Sequence, residues 1–380
     1  MRTLRLLTFL TAGCLSVALV VVAQQGPRST NGDTVARPKK GGSTSPAPSK
    51  ETELPPLPSV FKRNPAGGDG TEPTFTVNAT TVTLDVSVTD SQGHIIPNIP
   101  QSNFRITEDN VPQKISSMST GEGPMTICMV IEFSNRYQQY FSEPWYQTLM
   151  AANGFLSTLR KDDYVAIVAY DLRPEILSDF SLDRRDAMDA MSRLRFAAYS
   201  ESVLYDALTE TAERMQDIEG RKAILLISSG IDTISKQTYG QARKRIQNAG
   251  VPVYSFGLMQ AIRDIAYAGG GMSDSGRTDF IMADNQLRTF SQESGGMAFF
   301  PRFYGQFREI FQTISQALRT QYVLTYVPTN TARDGKFRKI KVELIDPETN
   351  KPLIVKDQKG KNVKYQIVTK SGYTAPREVE

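Results

Sequence analysis

Histidines, cysteines and paired carboxylates carry most side-chain chemistry, and this chain of 380 residues has one histidine and two cysteines. His94 sits in the turn Gln92-Gly93-His94. Alone, it supports neither a histidine-based zinc cluster nor a Ser-His-Asp triad, and it reads as a surface turn residue. Cys14 lies in an apolar N-terminal run, so Cys128 is single once that run is removed and no intramolecular disulfide is expected. Cys128 falls within Met125 to Ile131, an apolar strand, and reads as a buried inert thiol. Asp162-Asp163 are adjacent, so their side chains point apart; a solvated turn is expected rather than an acid–base pair. Gly269-Gly270-Gly271 lies in a polar segment from about Gln260 to Asp279 and lacks the strand and the Lys-Ser/Thr helix that a phosphate cradle needs. A mobile or disordered loop is expected there, open to a partner. Lys336, Arg338, Lys339 and Lys341 read as the solvated face and end of a strand.

The bulk numbers exclude further classes. With 39% hydrophobic residues the chain can build two or three cores. Its formal charge is +4, and Arg2 and Arg5 belong to a segment expected to be removed, which leaves +2. That balance gives no electrostatic reason for a nucleic-acid partner. Arg2 and Arg5 precede Leu6 to Ala23, a hydrophobic stretch ending in Val21-Val22-Ala23, as in an export signal over residues 1–23. An uncleaved anchor is the alternative, because 18 apolar residues just span a bilayer. A lipoprotein signal through Thr11-Ala12-Gly13-Cys14 would leave an apolar mature terminus and is disfavoured. Residues 24–70 are rich in Pro, Ser, Gly, Thr and Lys and read as a disordered tether.

The rest must position whatever chemistry exists. In residues 71–120, Val82, Leu84, Val86 and Val88 alternate with polar residues, and Phe104–Thr107 and Gln113–Ser117 read as short strands around the turn Glu108-Asp109-Asn110. This is a small β, Ig-like unit. Over 121–320, buried-strand patterns (Met125–Ile131, Val165–Ala169, Ala223–Ile227, Val253–Phe256, Met297–Phe300) alternate with helical ones, and Leu177–Phe180 reads as a short edge strand. Helices are expected at Val203–Gln216, Thr238–Asn248, Asp284–Glu293 and Tyr304–Leu318, and around Trp145–Leu159 and Ala187–Leu194 behind an Asp183 cap. Such alternation predicts an α/β fold, a doubly wound, mostly parallel sheet. Residues 321–380 return to β, with strands at Tyr322–Val327, Phe337–Leu344 and Val363–Val368. Whether they complete the sheet of 71–120 is open at this level.

Ligands of doubly wound sheets bind beyond the carboxyl ends of the strands, which points to the loops after Ile131, Ala198 and Ile227. These read Glu132-Phe133-Ser134-Asn135-Arg136, Ser202-Val203-Leu204-Tyr205-Asp206 and Ser228-Ser229-Gly230-Ile231-Asp232. With Val86-Ser87-Val88-Thr89-Asp90, Gln113-Lys114-Ile115, Leu204-Tyr205-Asp206-Ala207-Leu208 and Gln321-Tyr322-Val323-Leu324-Thr325-Tyr326, they make the chain after the tether resemble the von Willebrand factor type A domain. The particular similarity is to the type A-related proteins described from acidobacteria. The resemblance implies a metal-ion-dependent adhesion site of Asp-x-Ser-x-Ser, Thr and Asp, in which oxygens hold Mg²⁺ and leave one position for a partner's carboxylate. At those positions this chain has Glu132, Ser134, Arg136, Ser202 and Ser229, with Asp232 nearby. Only Ser134 is unchanged. Arg136 replaces an oxygen with a fixed cation and Ser229 removes a carboxylate, so a degenerate site is implied. Glu132, Ser134 and Ser202 are then the remaining candidate ligands, and Arg136, Ser229 and Asp232 belong to a binding face.

Three functions stay open: an exported (periplasmic, secreted or envelope-associated) protein-interaction module with no cofactor, Mg²⁺-dependent adhesion through the partial site, and an enzyme of unknown class. Against the last stand the single histidine and the absence of a nucleophile motif, so no enzyme is expected. The partner expected is a protein, with no membrane insertion beyond an uncleaved N-terminal anchor.

Overall fold

A computed structural model describes residues 81–90, 93–121, 123–135, 142–260, 263, 274–356 and 360–377. The expected signal, the tether, Arg136 and Gly269-Gly270-Gly271 lie outside the described residues. The first strands among the described residues are β1 (Val82–Asp90), β2 (Phe104–Glu108), β3 (Val111–Gln113) and β4 (Ile115–Thr120). Next come β5 (Met125–Glu132), α1 (Ser142–Leu156), β6 (Tyr164–Tyr170), β7 (Pro174–Ser181), α2 (Arg184–Ser192), α3 (Leu204–Gln216) and β8 (Arg221–Ser228). They are followed by α4 (Tyr239–Ala249), β9 (Val253–Gly257), α5 (Asp274–Ser294), β10 (Ala298–Phe299) and α6 (Gly305–Thr320). The last six strands among the described residues are β11 (Tyr322–Tyr326), β12 (Phe337–Leu344), β13 (Val355–Lys356), β14 (Asn362–Val363), β15 (Tyr365–Val368) and β16 (Gly372–Thr374).

The central sheet has the order β10-β9-β8-β5-β6-β7, parallel except for the edge strand β7. β5 is buried along its whole length and divides its side chains between two cores. Ile127, Met129 and Ile131 pack on one face with α1, α2 and α6. Cys128 and Val130 pack on the other with α3, α4 and α5. This is why β5 reads as a continuous apolar run rather than an alternating one. Strand order reverses between β5 and β8, which opens a crevice at their carboxyl ends.

The two β segments meet. β1 pairs antiparallel with β11 and β15, β4 pairs with β11, and β12 pairs with β2 and β16. Sheets β15-β1-β11-β4 and β16-β12-β2-β3 enclose one core that includes Leu84, Val86, Ile106, Leu324, Tyr326 and Val342; β13 and β14 form a separate ribbon. The α/β unit is thus inserted between two neighbouring strands of a β-sandwich. Its entry and exit touch, with Gly121 N donating to Gln321 O at 2.9 Å. Arg221 fastens the crossing by donating to Gly121 O at 2.6 Å and to Leu318 O.

Several local expectations hold. Asp183 caps α2 by accepting from Arg185 N, and Gly250 ends α4 at φ 63°. Asp109 and Asn110, both at positive φ, make the two-residue turn between β2 and β3. Others are corrected. The stretch Gln113–Ser117 is not one strand: the chain changes sheets at Lys114. α5 starts at Asp274, inside the segment expected as loop: its first turns, Asp274 to Asp279, carry no apolar residue that would mark a helical stripe. Arg338 is buried and paired with Asp334 at 2.9 Å, whereas Lys336, Lys339 and Lys341 are exposed. Asp162 is exposed, but Asp163 is fully buried against Arg319. Among the described residues no helix is long and apolar enough to cross a membrane.

Candidate functional site

Glu132 ends β5, Tyr170 ends β6 and Ser228 ends β8, so three polar side chains meet at the switch in strand order. Glu132 is 3% exposed. Its Oε2 accepts from Ser229 N at 2.8 Å and from Ser228 Oγ at 3.0 Å. Ser229 Oγ lies 2.8 Å from Oε2 and 3.0 Å from Oε1, so one hydroxyl proton serves both. Tyr170 Oη donates to Ser228 Oγ at 2.8 Å and reaches Oε2 only at 3.4 Å. No described cation pairs with this carboxylate. Burial pushes the Glu132 carboxyl above its ordinary range, partly offset by the donors from Ser229, Ser228 and Tyr170. Burial, and then the nearby Glu132 charge, likewise raises the Tyr170 hydroxyl.

The remaining candidates are tied into loops around this hub. Ser134 Oγ donates to Ser200 O at 3.1 Å, and Asn135 N and Nδ2 donate to Tyr199 O and Ala198 O. Ser202 N donates to Thr233 Oγ1 at 2.8 Å while Ser202 O accepts from Thr233 N at 2.8 Å, joining the second loop to the third. Ser202 Oγ is buried with no hydrogen-bond partner among the described residues. Asp232 turns to α3 instead, accepting from Tyr205 N at 3.1 Å and from Ser235 Oγ at 2.5 Å, where a carboxylate suits the positive helix end. Burial raises its carboxyl despite these bonds. The structure therefore gathers Ser229 onto Glu132 and holds Ser134, Ser202 and Asp232 in the adjoining loops. Sequence reasoning missed Tyr170, Ser228, Thr233 and Ser235. The one available signal was Tyr170, a hydroxyl closing an otherwise apolar strand beside the expected crevice.

Gly230 makes the third loop possible. Its φ is 80°, and a Cβ there would lie 2.7 Å from Ala283 O. Gly230→Ala is expected to cost about 2 kcal/mol or more, from left-handed backbone and clash together. A urea midpoint unchanged from wild type would show that the loop does not need this conformation.

The donor set does not fit Mg²⁺ or a similar hard cation. Such ions recruit several charged oxygens in a near-octahedral shell, whereas Glu132 is the one carboxylate at the positions the resemblance assigns and its oxygens already accept from protein donors. The orphaned Ser202 hydroxyl supplies no charge. Among the described residues no three His, Cys, Asp or Glu side chains gather into a group that could hold a metal ion.

No family model matches the chain. No curated protein matches it either. Solved structures similar to it include the von Willebrand factor type A protein from Catenulispora acidiphila, at 11% identity and TM-score 0.41 over 80% of this chain and 76% of that one. Another is the vWF domain of the type V pili tip protein Mfa5 from Porphyromonas gingivalis, at 14% identity and TM-score 0.39 over 53% and 96%. A third is proximal thread matrix protein 1 from the mussel byssus with a zinc-occupied MIDAS motif, at 9% identity and TM-score 0.41 over 52% and 48%. The chain thus spans about half the length of the mussel protein. Likeness at this level concerns the path of the chain alone.

Proposed function

We propose that the chain is an exported, non-enzymatic protein-interaction module of von Willebrand type A form whose contact face, at the carboxyl ends of β5, β6 and β8, works without a metal. The closure of Glu132 by Ser228 and Ser229 carries this reading. A carboxylate already served by protein donors gives a cation little to coordinate. The surrounding loops offer contact surface of another kind. Leu172, Phe196 and Ile234 are exposed apolar side chains at the same end of the sheet, with Phe196 at 74%. Protein contacts draw on such desolvated anchors within a polar rim. The N-terminal signal pattern supports export, and the tether supports a domain held away from the membrane surface.

Thermal melts of the full chain with EDTA, and with Mg²⁺ or Mn²⁺ at about millimolar concentration, test the metal-free reading. The midpoint is expected to be the same in all three. A saturable rise with either metal would overturn the metal-free face and restore metal-dependent adhesion. Once a partner is in hand, Phe196→Asp and Ile234→Asp should each weaken binding at least tenfold while EDTA leaves it intact.

A further inference from the structure

A second polar site lies at the other end of the α/β unit, where it meets the sandwich. A cavity of about 300 Å³ is lined by Asp85 of β1, Lys222 of β8 and Lys370 between β15 and β16. Direct bonds between the two units frame it. Gln247 Nε2 donates to Ser371 Oγ at 2.6 Å, Thr374 Oγ1 donates to Asn248 Oδ1 at 2.8 Å, and Ser371 N donates to Glu293 O at 3.1 Å. Gly295, at φ 91°, lets the units approach: a Cβ there would lie 2.7 Å from Lys370 N.

The charges around the cavity divide into two kinds. Lys222 Nζ is engaged, donating to Gln216 O and to Ile218 O at 2.8 Å at the negative end of α3. Arg221, behind it, is engaged with Gly121 O and Leu318 O. By contrast, the side chains of Asp85 and Lys370 have no hydrogen bond and no ion pair among the described residues, although Asp85 feels the charges of Arg221, Lys370 and Lys222 and Lys370 feels that of Asp85. Burial holds the Asp85 carboxyl above its ordinary range and the Lys370 ammonium below its own. Both side chains stay partly exposed and line the cavity, so a ligand that carries both charges can reach each of them.

We propose that this inter-unit cavity binds a small zwitterion of amino-acid type, its anionic group on Lys370 and its ammonium on Asp85. The unengaged lining charges are one of each sign, which selects against a plain anion or a plain cation. The volume stands at the lower end of the range for small-molecule sites, roughly 300–1,000 Å³, and domain junctions are a usual place for them.

The test is a thermal-shift titration of the full chain with the common α-amino acids, β-alanine and 4-aminobutyrate. Acetate and methylammonium serve as single-charge controls at constant ionic strength. At least one zwitterion is expected to raise the midpoint saturably, with half-saturation below about 1 mM, while neither control does. Asp85→Asn and Lys370→Met are each expected to weaken that response tenfold or more. The proposal is overturned if no zwitterion saturates below about 10 mM, if acetate or methylammonium gives the same response, or if both variants respond as wild type. Should either variant fail to melt cooperatively, the wild-type comparison of zwitterions with single-charge controls decides alone.

Discussion

Asp163→Ala is expected to lower the unfolding free energy by about 3–5 kcal/mol, the range for breaking a buried ion pair from one side. Asp163 is 0% exposed and stands immediately before β6. One of its oxygens accepts from Met125 N at 2.9 Å and the other from Arg160 N at 2.7 Å, while both face the guanidinium of Arg319, with Nη1 at 3.2 Å from Oδ1. The carboxylate thus joins the first residue of β5, the approach to β6 and the last turn of α6. Alanine leaves the Arg319 charge and two amides without an acceptor, and the amides alone cost about 1–3 kcal/mol each when buried unsatisfied. The neighbouring Asp162→Ala is the control, expected within about 0.5 kcal/mol of wild type because that side chain is exposed. The pair Asp163→Leu with Arg319→Met should recover part of the loss, since the unpaired charge goes with its partner. Urea denaturation measures all three. A loss under about 1 kcal/mol for Asp163→Ala would mean that water replaces the carboxylate there.

The misreading of Asp163 shows where local pattern stops informing. Adjacent aspartates before a strand look like a turn, and Asp162 behaves as one. Nothing in the neighbouring residues reveals that Arg319, 156 positions later, closes over the second carboxylate. The same limit governs the sandwich. The alternation in Val82–Val88 shows that one face is buried, but its neighbour β11 and, in the facing sheet, β12 lie more than 200 residues away, with only β2 of that cover close in sequence. Elements that bury both faces or carry their own caps, such as β5, α2 and α4, are legible because their reasons are local. At the site, topology and loop sequence locate Glu132, Ser202 and Ser229. The exchange of a carboxylate for Ser229 reads as a simple loss, yet Ser229 supplies both a hydroxyl and an amide to Glu132. That gain depends on rotamers and on the approach of β8 to β5, which spacing does not express.

Glu132 should give the chain a pH signature of definite sign. Burial raises its folded-state carboxyl above the unfolded value of about 4.3. Between those two values the folded protein binds more protons than the unfolded one, so this group's contribution makes stability fall as pH rises. The fall begins near the unfolded value and flattens above the folded one, with a slope of at most about 1.4 kcal/mol per pH unit. Other carboxyls titrate alongside it, Asp85, Asp232 and Asp284 in the same direction and Asp183, Asp334, Glu343 and Asp346 in the opposite one. The informative quantity is therefore the difference between wild type and Glu132→Gln. The glutamine keeps an acceptor for Ser229 N but cannot ionise, so its stability relative to wild type should improve with rising pH and then level off. Glu132→Ala has no such compensation. It leaves Ser229 N and the Ser228 and Ser229 hydroxyls without their acceptor in a closed site, for an expected loss of about 3 kcal/mol at neutral pH. Unfolding by urea from pH 4 to pH 8, about the range in which a raised carboxyl titrates, reads both effects. If Glu132→Gln tracked wild type at every pH, the carboxylate would not be titrating inside a closed network. If the difference appeared only after Mg²⁺ was removed, the carboxylate would be a metal ligand rather than the acceptor that latches β5 to β8.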